Sequence, residues 1–265
     1  MLMRAEQQIS TPHVSGDASQ APRSVSASKP LSGQHVLLTG VSGGVGVDAA
    51  RALAEQGATL TLDVAADRAL HQAIGEMLVV TGATVTLHHH AFSGRHDAMA
   101  FARSVCARGR LDAVFNFTQV EAEADNTWAT STDVDDLVAA ALSPAFAITQ
   151  VVANRMALTW REGLIVNVLS SEGPLDAHQR LAFATAKQAL AALTRDQACA
   201  WADDAVRINA VAPRTTLNPG FAADHSKAAS AADIAALLLE LATSGSRLTG
   251  HMLDAEGAAL RCAIA

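Results

Sequence analysis

The feature that most constrains this chain is an alternation. From His35 onward, short apolar runs take turns with longer stretches of helical composition. HVLLT, ATLTLD, ATVTLHHH, DAVFNF, LIVNVL and VRINAVAP read as strands, and LTGHMLD as a last short one. Between them lie DAARALAEQ, DRALHQAIGEMLVV, AMAFARSVCARG, a long stretch from about Asp135 to Trp160, a helix around Lys187, and AADIAALLLELAT. Runs of this apolar density belong to strands covered on both faces, and the intervening helices supply the cover. Strand–helix–strand units of this length cross over right-handed and build a parallel sheet. The expected fold is therefore α/β, a single domain over 33–265 with a doubly wound parallel sheet and helices on both faces. Residues 1–32, rich in Ser, Ala, Gln and Pro without apolar periodicity, read as a disordered tail.

Composition narrows the class. Half of the chain is apolar and only 4% aromatic, so Ala, Val and Leu must build the interior. A net charge of −7 argues against a general nucleic-acid surface. Cys106, Cys199 and Cys262 are widely spaced and odd in number, which speaks against a disulfide framework and for a reducing, cytoplasmic setting. The start, MLMRAEQQ, lacks the apolar core of a secretory signal. No run of about 18 apolar residues is read in the chain, so no membrane span is expected.

Between the first strand and the first helix stands the turn Gly40-Val-Ser-Gly-Gly44-Val-Gly46. Glycines there allow a tight turn and let backbone amides approach a pyrophosphate, which a helix N-terminus stabilises. The order Thr39-Gly40-x-x-x-Gly44-x-Gly46, then GRLDAVFN, IVNVLS, VRINAVAP and LTGHML, resembles the short-chain dehydrogenase/reductase family from about Gln34 to Gly257. The resemblance implies a Rossmann-like fold and a nicotinamide dinucleotide held by Thr39, Gly40, Ser42, Gly44, Val45 and Gly46. Asn116, Lys187 and Pro213 complete the implied cofactor contacts.

An acid ending the second strand would accept the adenosine ribose hydroxyls and repel a 2′-phosphate, favouring NAD(H) over NADP(H). Asp63 is the candidate, one position earlier than the family's usual acid. Val64 takes that place, and one step along a strand reverses the face. Other positions also depart from the family. Asn-Asn-Ala-Gly after the fourth strand reads Asn116-Phe117-Thr118-Gln119, the acid after the third strand reads Ala91, and the glycine after Pro213 reads Arg214.

The resemblance also assigns catalytic positions. A serine that orients the substrate oxygen falls on Ser170, and the lysine that holds the nicotinamide ribose and lowers the proton donor's pKa falls on Lys187. The tyrosine proton donor, four residues before the lysine, is Phe183, and the supporting helix asparagine is Ala141. Phenylalanine has no ionisable proton, and the chain contains no tyrosine to take over. His178 or Glu172, in the segment after Ser170 with Asp176, are candidate replacement acids. His88, His89 and His90 offer two imidazoles on one strand face but no spaced carboxylate or thiol to complete a metal set. The apolar stretches 135–160 and 180–202 lead to an expected homodimer or homotetramer. Three functions stay open: an oxidoreductase with a relocated proton donor acting on a small-molecule alcohol or carbonyl, a non-catalytic dinucleotide-binding or partner subunit, and a non-redox enzyme reusing the pocket.

Overall fold

In a computed structural model the described residues are 28–64, 68–89, 92–120, 131–160, 162–170, 177–213, 229–244, 247–256 and 259–262. Their elements follow in the order β1 (His35–Thr39), α1 (Gly44–Glu55), β2 (Thr59–Val64), α2 (Arg68–Val80), β3 (Val85–His89), α3 (Arg95–Arg108), β4 (Ala113–Gln119), α4 (Ser131–Leu158), β5 (Gly163–Ser170), α5 (Ala177–Ala200), β6 (Val206–Pro213), α6 (Ala231–Thr243), β7 (Met252–Glu256) and β8 (Ala259–Cys262). The sheet runs β3-β2-β1-β4-β5-β6-β7-β8. Pairings from β3 across to β7 are parallel, and β8 returns antiparallel on β7. The strand order reverses between β1 and β4, which opens a crevice at the carboxyl ends of those strands.

Strand alternation sorts side chains to two faces. Val36 and Leu38 of β1, with Val166 and Val168 of β5, join a cluster containing residues of α1, α2 and α6. Leu37 and Ile165 face the other way, into α3 and α4. A third cluster, of Leu142, Leu169, Phe183, Ala186, Leu190, Ala210, Ala212 and Met252, binds α4 and α5 to the sheet on that second face. The expected doubly wound α/β architecture is what the chain adopts.

Three details differ from the sequence expectations. Leu31, inside the stretch read as tail, is completely buried and donates its N–H to the Gln56 carbonyl at 3.0 Å, so the folded part begins before residue 32. The segment LTGH is a pinned loop, and β7 starts only at Met252. Its backbone is held by side chains of β6 and by its own: Asn209 Nδ2 donates to the Leu248 carbonyl at 2.8 Å, and Thr249 Oγ1 accepts from the Ile208 N–H at 3.1 Å. Gly250, at φ +76, makes the bend. Finally, Val134–Leu158 of α4 is long and apolar enough to cross a membrane by composition, with a mean hydropathy of 1.6. This departs from the expectation of no such segment, because Asp135, Asp136, Pro144 and Gln150 break up its apolar residues in the sequence. In this fold α4 is a core helix whose Ala147, Ile148, Val152 and Ala153 are fully buried.

Candidate active site

The glycine turn is built by backbone proximity. Gly40 has φ +68, and a Cβ added to it would lie closer than 3.0 Å to the carbonyl oxygen of Phe117 on β4. Only glycine lets β1 end this close to its neighbour. Gly46 is the tight position of the helix that follows, where a Cβ would meet Val41 Cγ1 at 3.1 Å. Gly43 caps α1 without a side-chain bond, and the first turn carries no acid. The leading amides of α1 are thus uncovered by any cap residue, beside half-buried Ser42 and exposed Gly44, while Val45 packs back on the core. This is the electrostatic arrangement that a pyrophosphate needs.

Asp63 is completely buried, and its Oδ2 accepts the Gly40 N–H at 3.3 Å while its carbonyl takes the Val41 N–H at 3.0 Å. Val64 joins the cluster with α1 and α2, as its opposite parity requires. Asp63 thus braces the turn from beneath.

Under the turn runs a row of buried polar side chains. Thr39, Asn116 and Asn167 are register partners on three adjacent strands. Thr39 Oγ1 donates to Asn116 Oδ1 at 2.8 Å, Asn116 Nδ2 donates to Asn167 Oδ1 at 2.8 Å, and Thr149 of α4 closes the group at 3.2 Å from each asparagine. Asn116, expected at the cofactor, is fully buried in this row. Beyond it β4 continues in register to Gln119, opposite Ser170, where the family pattern would place a glycine.

At the far end of the crevice, Ser170 closes β5 and is 5% exposed. Phe183, 1% exposed, sits among Leu169, Leu190, Ala210, Ala212 and Met252, with Ala141 packed against the same cluster. Lys187 lies one helical turn on. Its Nζ donates to Asp254 Oδ1 on β7 at 2.5 Å and to the Pro213 carbonyl at 3.1 Å. The structure therefore brings Phe183, Lys187 and Ala141 to the sheet's second face, with Ser170 at the carboxyl end of β5, across the crevice from the glycine turn.

Comparison with known proteins agrees with this geometry. Residues 34–229 match the short chain dehydrogenase family profile. The chain belongs to the short-chain dehydrogenase family. It is 30% identical over 192 residues to D-threitol dehydrogenase of Mycolicibacterium smegmatis, covering 71% of this chain and 72% of that one. It is 27% identical over 195 residues to D-beta-hydroxybutyrate dehydrogenase of Cupriavidus necator, covering 71% and 73%. A crystal structure of a short chain dehydrogenase from Mycobacterium smegmatis shares the fold, with a TM-score of 0.70 at 24% identity, covering 91% of this chain and 97% of that one.

The cofactor of a short-chain dehydrogenase is a nicotinamide dinucleotide, and the two ends of this crevice fit it unequally. The uncapped α1 amides and the glycine positions suit the pyrophosphate. At the nicotinamide end, two N–H donors of Lys187 are already engaged by the chain itself. Glu172 and Asp176 lie outside the described residues, as do Ala91, Arg214 and the side chain of His178. So does His90. His88 instead takes a bond from Arg108 at 3.2 Å, and among the described residues no group of three His, Cys, Asp or Glu is placed to hold a metal ion. Cys106 is a packing residue whose thiol is pushed up by burial. Asp254, Thr149 and Asn167 escaped the sequence reading. Their one signal was a polar residue within an apolar segment, which stands alone only for Asn167 in IVNVL.

Proposed function

We propose that this short-chain dehydrogenase binds NAD(H) in preference to NADP(H) and transfers hydride between it and a small alcohol or carbonyl compound only slowly, because the proton-donor position is an apolar plug. The observation that carries the reading is Phe183, buried and packed with Leu169, Leu190, Ala210 and Met252 one turn from Lys187. When bound, the dinucleotide supplies the hydride. This chain's residues hold it through the α1 amides, place Ser170 beside the reacting oxygen, and exclude water with Phe183, Leu169 and Leu190. What they lack is a proton for the alkoxide, a contribution typically of about 10²–10⁴-fold. The NAD(H) preference rests on the position of Asp63, an acid near the end of β2 that bonds the Gly40 amide of the turn, where an acidic group favours ribose hydroxyls over a 2′-phosphate.

Calorimetry with NADH and NADPH, followed by turnover of a carbonyl panel, tests this. NADH is expected to bind more tightly, and wild-type turnover is expected to fall below that of Phe183→Tyr. Absence of binding by either nucleotide at millimolar concentration would defeat the reading. Fast wild-type turnover would defeat its catalytic half and direct attention to His178 and Glu172.

The reading extends to assembly in the cytoplasm as a homodimer or homotetramer through α4 and α5. Its support is exposed apolar surface, with Leu158 and Trp160 at the end of α4 67% and 93% exposed and Leu181 on α5 49% exposed. Leu158 also lines a groove of about 580 Å³ between α3 and α4, with Met99, Arg103, Val151, Arg155 and Trp201. Sedimentation is expected to show an oligomer that Leu158→Asp converts to monomer, whereas a monomeric wild type at tens of micromolar would remove the assembly from the proposal.

A further inference from the structure

We propose that Asp254 disarms Lys187: the carboxylate takes up the ammonium group, so the site lacks an uncompensated positive charge as well as a phenol. The inference rests on the family reading for what a free lysine at this position does. Its own basis is the contact between the two side chains, which are 12% and 20% exposed and meet at 2.5 Å.

An ammonium has three N–H donors. Asp254 and the Pro213 carbonyl use two of them, so a ribose diol entering the crevice finds one donor where it needs two. The electrostatic consequence reaches further than the hydrogen bonds. A lone cation in a poorly screened site lowers the pKa of an acid several ångströms away. A cation in contact with a carboxylate presents a dipole, whose field falls off much faster.

The pair is also well fixed. Asp254 stands on β7 in register with Ala212 of β6, on the face that packs α5, and its short side chain leaves it little room to turn away. Lys187 is carried by the middle of a long helix. Arg261 is the register partner of Asp254 on β8. Among the described residues, the bonds of Lys187 run to β6 and β7 alone.

The alternative is that the pair merely fastens α5 to the sheet. The two roles differ in one measurable quantity, the acidity of a phenol placed at position 183. The chain has no tyrosine, so Phe183→Tyr introduces a single phenol that titrates without background. Its midpoint is read from tyrosinate ultraviolet absorbance in Phe183→Tyr and in Phe183→Tyr/Asp254→Asn. The midpoint is expected to fall by about one pH unit or more when Asp254 is neutralised. Coinciding midpoints would overturn the proposal and leave Asp254 a fastening residue.

Should the tyrosine variant fail to fold, the same question is put to the wild type and Asp254→Asn alone. The readout is the rate at which fluorodinitrobenzene labels the Lys187 amine relative to exposed Lys29, measured by peptide mass spectrometry. A severalfold faster relative rate in Asp254→Asn is expected, and an unchanged rate would overturn the proposal. Neither measurement uses a dinucleotide, so failure of cofactor binding would defeat the proposed function and leave this inference standing.

Discussion

Gly40→Ala is expected to lower the free energy of unfolding by about 2–5 kcal/mol, the sum of two independent costs. The residue sits at φ +68, a conformation that costs a side-chain-bearing residue about 1–2 kcal/mol. The added methyl would also press on the Phe117 carbonyl oxygen at less than 3.0 Å, and that obstacle cannot swing aside. Phe117 belongs to β4, paired in register with Val168, so relief requires parting β1 from β4 or straining a ladder. Overpacking of this kind costs about 1–3 kcal/mol. Either movement also pulls the Gly40 N–H from Asp63 and opens the turn, so dinucleotide affinity falls with stability.

The neighbouring glycines calibrate the claim. Gly46→Ala meets Val41 Cγ1 at 3.1 Å and its Cα at 3.4 Å, and Gly44→Ala meets Ala231 Cβ at an ordinary 3.5 Å. Urea melts should rank the variants Gly40, Gly46, Gly44 from most to least destabilised. The shift should appear in the midpoint with the slope unchanged. A Gly40 variant as stable as the Gly44 variant would show that the β1–β4 approach is not rigid.

What the sequence makes legible follows from how evenly each feature is spread along it. Strands buried on both faces announce themselves as apolar runs, so β1, β5 and β6 were readable almost to the residue. β8 was not, because ALRC is a short strand that exists only through its hairpin with β7. β7 was misplaced because the bonds that hold LTGH as a loop come largely from Asn209 and Ile208, forty residues away in the chain and invisible to local pattern. At the site, a position-by-position resemblance named Ser170, Phe183 and Lys187, which stand at the end of β5 and on α5, the elements their spacing implied. It assigned Asn116 and Asp63 outward roles. Whether a polar side chain on a strand faces cofactor or core depends on what lies opposite, and here Asn167, Thr149 and the Gly40 amide do. Asp254 was missed for the same reason: its partner is a helix away.

The largest loss of stability from removing one polar group should come from Asn116→Ala, at about 3 kcal/mol. Asn116 joins β1 to β5 through Thr39 Oγ1 and Asn167 Oδ1, each at 2.8 Å, with Thr149 at 3.2 Å. Thr39, Asn167 and Thr149 are respectively 2%, 2% and 0% exposed, so water cannot replace what the substitution removes without entering the core. Thr39 then loses its acceptor, and Asn167 keeps only the Thr149 hydroxyl as donor. The orphaned Thr39 hydroxyl costs about 1–3 kcal/mol, to which the emptied volume and the weakened Asn167 bonding add. Thr149→Val, which keeps the shape and removes one bridging hydroxyl, should cost about 1 kcal/mol. A double-mutant cycle of Asn116→Ala with Asn167→Ala separates a network from two separate bonds, with an expected coupling of about 1–2 kcal/mol. Because Gly40 follows Thr39 and Ser170 lies three residues beyond Asn167, loosening the row displaces both ends of the crevice together. Dinucleotide affinity should therefore drop in Asn116→Ala together with stability. Additivity in the cycle with unaltered affinity would instead leave the row an ordinary piece of core, and the crevice would owe its shape to the backbone alone.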